Sequence, residues 1–324
     1  MSNKNLTAFI YKGGIFAPNS NLKHMKKYLK QKCMFGKLIQ IKHAIITGVL
    51  LMCLQTAQIN AQVAFGIVNP NETTKKEPID DVQFTVLYET KMVTDTLKPE
   101  KTISESMILK VGVVSSSYYS YTRSVTDSIL SEQLKKSGNI RVDNNAENFG
   151  IISYQIYKNY PTGKVTTLDK VAMNRFRCEE ENEIPAWELL PDTATILYYT
   201  CQKAVCHFKG RYYEAWFAPE IPRHEGPWKL HGLPGLILKA SDSQGHYTFE
   251  CTGLTSADEK LMFGADGYES ISRKNLDRIY ERYAADPVGY MTSSTPNIKV
   301  VVRDESGENK SVKNIPYNPI ERTD

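Results

Sequence analysis

The segment from Ala218 to Ile237 constrains this chain more than any other. It holds Pro219, Pro222, Pro227 and Pro234 together with Gly226, Gly232 and Gly235, and Gly245 follows closely. Proline fixes φ near −65° and donates no backbone hydrogen bond. Residues 218–234 are therefore neither helix nor ladder strand, and are expected as an extended, ordered loop. Leu233-Pro-Gly-Leu236 puts Pro and Gly at the two central positions of a turn, which predicts type II geometry feeding an apolar strand, Leu236 to Leu238.

Most of the chain around this loop reads as strand. Val82, Phe84, Val86 and Tyr88 alternate with Gln83, Thr85, Leu87 and Glu89, the period of a half-buried strand. Met107 to Val114 and Ile151 to Lys158 are further candidates, then Val165 to Phe176 after the turn Pro161-Thr-Gly163. Beyond an acidic loop, Glu179 to Glu183, come Thr195 to Thr200, Ala204 to Phe208, Tyr212 to Phe217, Gly235 to Ala240 and His246 to Cys251. Lys209-Gly210 and Ser241 to Gly245 supply hairpin turns. A helix is expected from about Thr126 to Lys136, capped by Ser124 or Thr126. A second carries Leu276, Ile279, Tyr280 and Tyr283 on one face and closes at Asp286-Pro287. A last strand is expected at Ile298 to Arg303. The pattern predicts a mainly β (α+β) domain, an antiparallel meander or half-barrel with two or three helices.

The first 61 residues differ in character. They carry nine lysines and no acid; removing them from the total of 40 basic residues leaves 31 against 36 acidic. The cationic excess thus lies wholly in the leader, and the body gives no electrostatic case for nucleic acid. The apolar run Ala44 to Leu54 follows Lys37 and Lys42 and precedes Ile59-Asn-Ala61, the order of a secretory signal cleaved after Ala61. At about 11 residues it is too short to span a bilayer, and Met52 before Cys53 does not fit a lipid-attachment site. Met25 and Met34 are alternative starts. The organisation expected is an upstream region and signal over 1–61, a flexible lead-in over 62–80 and one β-rich domain over 81–324, with no transmembrane helix in the mature chain. The protein is expected in the periplasm, at the outer membrane or outside the cell.

Removal of the leader leaves Cys178, Cys201, Cys206 and Cys251. An even count in an exported chain favours disulfides. Cys201 and Cys206 on one extended strand would sit about 16 Å apart, too far to bridge each other, so each is expected to pair with Cys178 or Cys251.

Gly232-Leu-Pro-Gly-Leu-Ile237 resembles the signature of the GLPGLI family, exported proteins found mainly in Bacteroidota. Lys203-Ala204, Gly210-Arg211, Ala215-Trp216, Ile221-Pro222 and Gly226-Pro227 resemble its other recurring elements, and Asn318-Pro-Ile320 fits the tail. The resemblance is strong over residues 196–254 and thin before 150. It implies a signal peptide and one domain, and no catalytic residue. By fold-level analogy alone, the order of strand, Trp-Phe, proline loop, Leu-Pro-Gly strand and hairpin is similar to that of periplasmic lipoprotein-carrier half-barrels.

No GxSxG elbow, P-loop or GxGxxG is present. His207, His224 and His231 match no HxH or HExxH spacing, so no metal or cofactor is expected, and Cys206 and His207 would point to opposite faces of a strand. Glu214 and Glu220 are a candidate carboxylate pair. Arg211, Trp216, His224, Trp228 and His231 are the candidate ligand-binding residues: the aromatics line a groove or fill core, and Arg211 binds an anion or pairs with Glu214. The function expected is non-enzymatic binding of a hydrophobic ligand, peptide or envelope protein by a concave sheet face and the 216–236 loop. The alternatives are a hydrolase using His207, His224 or His231, and a structural envelope component.

Overall fold

Alternating apolar residues build one large antiparallel sheet, and a short connection forces it to curl. The computed structural model describes residues 75–137, 150–294 and 311–322, together with the strand pair Ile10–Tyr11 and Gly14–Ile15. The chain divides at Asn60 and Ala61 into two units, each taken by itself. The apolar run Ala44 to Leu54, the start of the lead-in and the strand expected at Ile298 to Arg303 lie outside the described residues. No described helix is long and apolar enough to cross a membrane.

The first arm of the large sheet is a meander of β1 (Glu77–Val93), β2 (Thr102–Val111), β3 (Ser116–Ser120), β4 (Gln155–Lys158), β5 (Lys164–Val171) and β6 (Asn174–Glu181), with α1 (Tyr121–Ser137) between β3 and β4. The second is β7 (Glu188–Ile196), β8 (Tyr199–Phe208), β9 (Arg211–Ala218), β10 (Leu236–Asp242) and β11 (Tyr247–Phe263). The short β12 (Glu269–Ser270), α2 (Arg273–Ala285) and α3 (Pro287–Ser294) follow. The strand order is β12-β6-β5-β4-β3-β2-β1-β11-β10-β9-β8-β7, antiparallel except where β12 runs parallel to β6. The arms meet along β1 and β11, paired from Tyr247 opposite Met92 to Phe263 opposite Glu77. The result is mainly β and open: β7 and β12 stand at opposite ends of the order.

Residues 182–187 join β6 to β7, ten strand positions away. At about 4.8 Å per strand a flat sheet would separate them by about 48 Å, whereas seven extended steps reach about 24 Å. The sheet must therefore curl until its ends approach. One buried cluster accordingly holds Val165 of β5 with Phe208 of β8, Met107 and Leu109 of β2 with Phe217 of β9, and Tyr88 of β1 with Leu238 of β10. Smaller clusters pack α2 on β5 and β6 through Leu276, Phe176 and Cys178, and pack Phe263 of β11 on Tyr157 and Leu168.

Several boundaries differ from those read in the sequence. β1 begins at Glu77, inside the expected lead-in. Val165 to Phe176 is a hairpin, turned at Ala172 with φ of 54°, and the acidic residues Glu179 to Glu181 finish β6. Thr195 to Thr200 is also a hairpin: Leu197 and Tyr198 both have positive φ, at 48° and 72°, a conformation that Asn-Gly usually supplies. α1 starts earlier than expected because Ser120 caps it, its Oγ accepting from Arg123 N at 3.0 Å. Ser124 and Thr126 instead donate back to the carbonyls of Tyr121 and Thr122. α2 is capped by Ser272, whose side chain accepts from Asn275 N.

The expected disulfides are not formed: Cys178, Cys201, Cys206 and Cys251 are free and buried. Cys178 belongs to the α2 cluster and the other three to the main core. Cys201 and Cys206 share the unbroken β8, and β9 and β10 separate β8 from Cys251 on β11. An odd spacing on one strand should put Cys201 and Cys206 on opposite faces. A register shift between Gln202 and Ala204 reverses the alternation and turns both inward. Burial pushes the thiols up, to about 11 at Cys201 and about 12 at Cys206 and Cys251. The folded protein is expected to resist iodoacetamide at pH 8 and to take up four labels at these positions once denatured. A mass two hydrogens lighter with no uptake at one pair of cysteines would show a disulfide instead.

Candidate functional site

The Pro/Gly loop enters the curled sheet. Trp228, Leu230 and Leu233 are 1%, 0% and 1% exposed, and Trp228 meets the rings of Phe208 at 5.9 Å and Tyr213 at 6.0 Å. The loop therefore fills the interior with its apolar side chains. A proline-rich backbone cannot satisfy itself by helix or ladder bonds, so its polar groups need partners from elsewhere. Gly232 N donates to His224 O at 2.8 Å, Leu236 N to Ile221 O at 3.0 Å and Ile237 N to Glu225 O at 3.0 Å. Side chains on surrounding elements meet further carbonyls of the loop and of the strand it enters. Lys158 of β4 donates to Gly226 O at 2.8 Å, Tyr88 of β1 to Ile237 O at 2.6 Å, and Trp187 of the 182–187 connection to His231 O at 2.8 Å. Lys158 also pairs with Glu225 at 2.6 Å, and Ser116 donates to the same carboxylate at 3.0 Å.

The expected type II turn is absent. Gly235 N donates to Leu233 O at 2.8 Å, a three-residue turn centred on Pro234, and the positive φ in this stretch belongs to Gly232, at 91°. Gly235 is needed for space, because a Cβ there would collide with the carbonyl of Ala218.

Arg211, expected to bind an anion or pair with Glu214, is instead a buried anchor for the tail. Its guanidinium pairs with Asp242 at 2.6 Å, both side chains nearly inaccessible. It donates to Asn318 Oδ1 at 2.8 Å, to Ile320 O at 3.0 Å and to Pro319 O, and lies over the Tyr247 ring. Asn318 in turn donates to Val93 O at 2.7 Å. The Lys209-Gly210 turn forms as expected, with φ of 49° and 72°. The tail passes over it so closely that a Cβ on Gly210 would strike the backbone of Arg322.

The other candidates do not converge. Trp216 is half-buried and packs against the main core cluster, donates to Glu214 at 3.0 Å and sits under Lys203. Glu214 pairs with Lys203, and Glu220 accepts from Thr200 N at 3.3 Å, so they form no carboxylate pair. His224 is exposed, with Nδ1 against Leu233 O at 2.7 Å. His207 is exposed and lies against the Tyr212 ring, centroids 4.6 Å apart and planes tilted by 51°. His231 is buried, with Nδ1 against Lys229 O at 2.9 Å and Nε2 unpartnered. Burial lowers its pKa, and Lys158 lowers it further. Among the described residues no three His, Cys, Asp or Glu side chains are placed to hold a metal.

Where the two ends of the sheet approach, a charged cluster forms that sequence reading did not single out. Glu180 of β6 pairs with Lys229 of the loop at 2.5 Å, with Arg273 of α2 at 3.1 Å and, at 3.9 Å, with Lys209. Glu321 of the tail pairs with Lys229 at 2.7 Å and Arg273 at 3.5 Å. Burial raises the Glu180 carboxyl, but Lys229 and then Arg273 outweigh it and hold the group at about 2. An open cleft of about 360 Å³ lies against this cluster. Phe208 and His207 line one side, Arg273 and Asp277 another, and Glu183, Lys209 and the tail residues Glu321 and Arg322 complete the rim. Arg273 and Asp277 are spaced i, i+4 on a helix, a signal visible in sequence. Their meeting with residues 180, 209 and 321 had none.

Residues 208–239 match a family described as "Protein of unknown function (Porph_ging)". This stretch runs from the end of β8 through the turn, β9 and the loop into β10. No curated protein matches the chain. Among solved structures, "Structure of PNGF-II in P21 space group" is similar at a TM-score of 0.44 and 11% identity, and "Structure of PNGF-II in C2 space group" at 0.42 and 12%. Each alignment covers 70% of this chain, which spans only 39% of those chains, and likeness at this level carries no argument.

Arg211→Ala strips Asp242 of its cation in the core and frees the tail, so unfolding in urea is expected to lose about 3–5 kcal/mol; a loss under about 1 kcal/mol would show that the anchor is not structural. The folded His231 has a lower pKa than the unfolded 6.5, so the unfolded state binds the proton more readily. The urea midpoint should fall as pH drops below about 6.5, and His231→Gln should flatten that slope between pH 7 and 5. An unchanged slope in the variant would assign the effect elsewhere.

Proposed function

We propose that this chain is an exported envelope protein that binds a partner rather than catalysing a reaction, and that it binds at the charged cleft on its rim. One observation carries this reading: the residues expected to serve a ligand on the loop are spent on the fold, while the cleft is open and polar. Trp228 and His231 are buried, and Arg211 is saturated by Asp242 and the tail. The cleft, at about 360 Å³, lies near the small end of ligand sites. Export rests on the lysine-rich leader and the apolar run Ala44 to Leu54. We also propose that the chain is of the GLPGLI type, supported by the family match over 208–239, which contains Gly232-Leu-Pro-Gly-Leu-Ile237.

A structural envelope component is the second reading, favoured by the burial of the loop against the sheet. A hydrolase has less support: His224 and His231 each hold a loop carbonyl at Nδ1, and His207 packs against Tyr212.

Photocrosslinking from the full chain in its envelope separates these readings. A photoreactive residue replacing His207, at the cleft, is expected to capture a partner. The same residue replacing Trp216, half-buried on neighbouring β9 and outside the cleft lining, is expected to capture none. Equal capture from both positions, or none from His207, would overturn the reading, and an envelope defect on deletion without any capture would favour the structural one.

A further inference from the structure

The outward side of α2 carries a row of cations. Lys274, Arg278 and Arg282 are spaced i, i+4 and i+8, and all three are exposed. At 3.6 residues per turn they form one row about 12 Å long. It lies on the side of the helix away from Leu276, Ile279, Tyr280 and Tyr283, which pack on the sheet. The tail returns to the same helix, with Asn314 N donating to Ala285 O and Ile315 N to Ala284 O, each at 2.8 Å. That return sets the exposed Lys313 at the end of the row.

Among the described residues none of these four cations has a carboxylate partner. Arg278 donates to Asn275 Oδ1 at 3.3 Å, and Arg282 lies over the Tyr290 ring at 6.0 Å. Exposed cations on and beside the sheet are served differently: Lys98 pairs with Asp95, Lys164 with Glu181 and Lys260 with Asp81. Like charges at i, i+4 weaken a helix, and a lysine in the first turn opposes its dipole. α2 has no acid in its first turn to offset this, and Glu281 is its one exposed acid. The row therefore destabilises the free helix, and an external anion relieves it.

A row on the convex side of a helix cannot enclose a small anion, but it can lie along an extended plane of negative charge. A nucleic acid is the other extended polyanion, and the chain from residue 62 onward, with 31 basic and 36 acidic residues, repels one that runs past α2. A plane touches this side alone, and salt screens it from the rest of the body within about 8–10 Å. The apolar side of α2 is already used on the sheet, so the contact is electrostatic and inserts nothing into the hydrocarbon. We propose that the outward side of α2, with Lys313, is a docking surface for an anionic phospholipid bilayer. This goes beyond the partner reading of the cleft, and neither requires the other.

Co-sedimentation of protein isolated from the envelope tests the assignment, with vesicles of phosphatidylcholine alone or with about 30% phosphatidylglycerol. The anionic vesicles are expected to bind about tenfold or more tighter than the neutral ones, with the preference fading between about 0.1 and 0.5 M salt. The triple variant Lys274→Gln, Arg278→Gln, Arg282→Gln should abolish the preference. Replacing Lys98, Lys164 and Lys260 by Gln removes as much charge from paired positions and should change binding less than about twofold. The α2 variant loses mainly repulsion and is expected to be at least as stable in urea as the parent, so its weaker docking is not a loss of folding. No preference for anionic vesicles, a preference that survives in the α2 variant, or an equal loss in both triple variants would overturn the proposal. A less stable α2 variant would do the same, by showing that the row serves the fold. Displacement by glycerol phosphate in solution would mean a free-phosphate site, and equally tight, α2-dependent binding of duplex DNA a nucleic-acid surface; either result rejects the bilayer.

Discussion

A backbone that cannot bond to itself has been placed inside an apolar shell, and the rest of the molecule is arranged around that fact. Residues 219–235 carry four prolines and adopt neither helix nor strand, yet Trp228, Leu230 and Leu233 sit at the centre of the core. Each buried carbonyl or amide left unpaired there would cost on the order of 1–3 kcal/mol. Lys158 and Trp187 reach in from separate elements to meet loop carbonyls, and Tyr88 meets the carbonyl of Ile237 just where the loop enters β10. The charge of Lys158 is balanced by Glu225 from the loop itself. The loop thus supplies both the apolar filling of the half-barrel and one partner of its buried ion pair. The short 182–187 connection, which bends the sheet, also brings Trp187 to the loop.

The parts of this fold that were legible in sequence are those governed by local periodicity or local turn chemistry. Tyr247, Phe249 and Cys251 face inward as alternation requires, Lys209-Gly210 turns as its glycine predicts, and Leu276 faces the core from α2. The failures have local physical causes. Leu197-Tyr198 and Ala172 turn the chain through positive φ without Gly or Asn, so no residue marked those hairpins. β7 contains Pro191, which argues against a strand unless it lies at an edge, and β7 is an edge. The register shift near Gln202, which places Cys201 and Cys206 on one face, has no sequence signature at all.

The candidate site was harder to read because it is a property of closure. The loop motif draws attention through composition, but Arg211 serves the tail, and His224 and His231 hold carbonyls of the loop itself. The cleft instead gathers Glu180, Lys209, Arg273 and Glu321 from four places along the chain, where only the curl of the sheet and the return of the tail unite them. In isolation each is an ordinary surface charge. The binding reading therefore depends on the same packing of loop against sheet that holds the two arms in place.

Hydrogen exchange at single-residue resolution probes that packing directly, through the amides of Gly232, Leu236 and Ile237, which donate to His224, Ile221 and Glu225 within the loop region. If the loop is the plug of the half-barrel, these amides exchange only with global unfolding, at the rate of the slowest amides in β9 and β11. Exchange within seconds at these three positions, with the strands still protected, would mean that the loop lies outside the core and that the account is wrong.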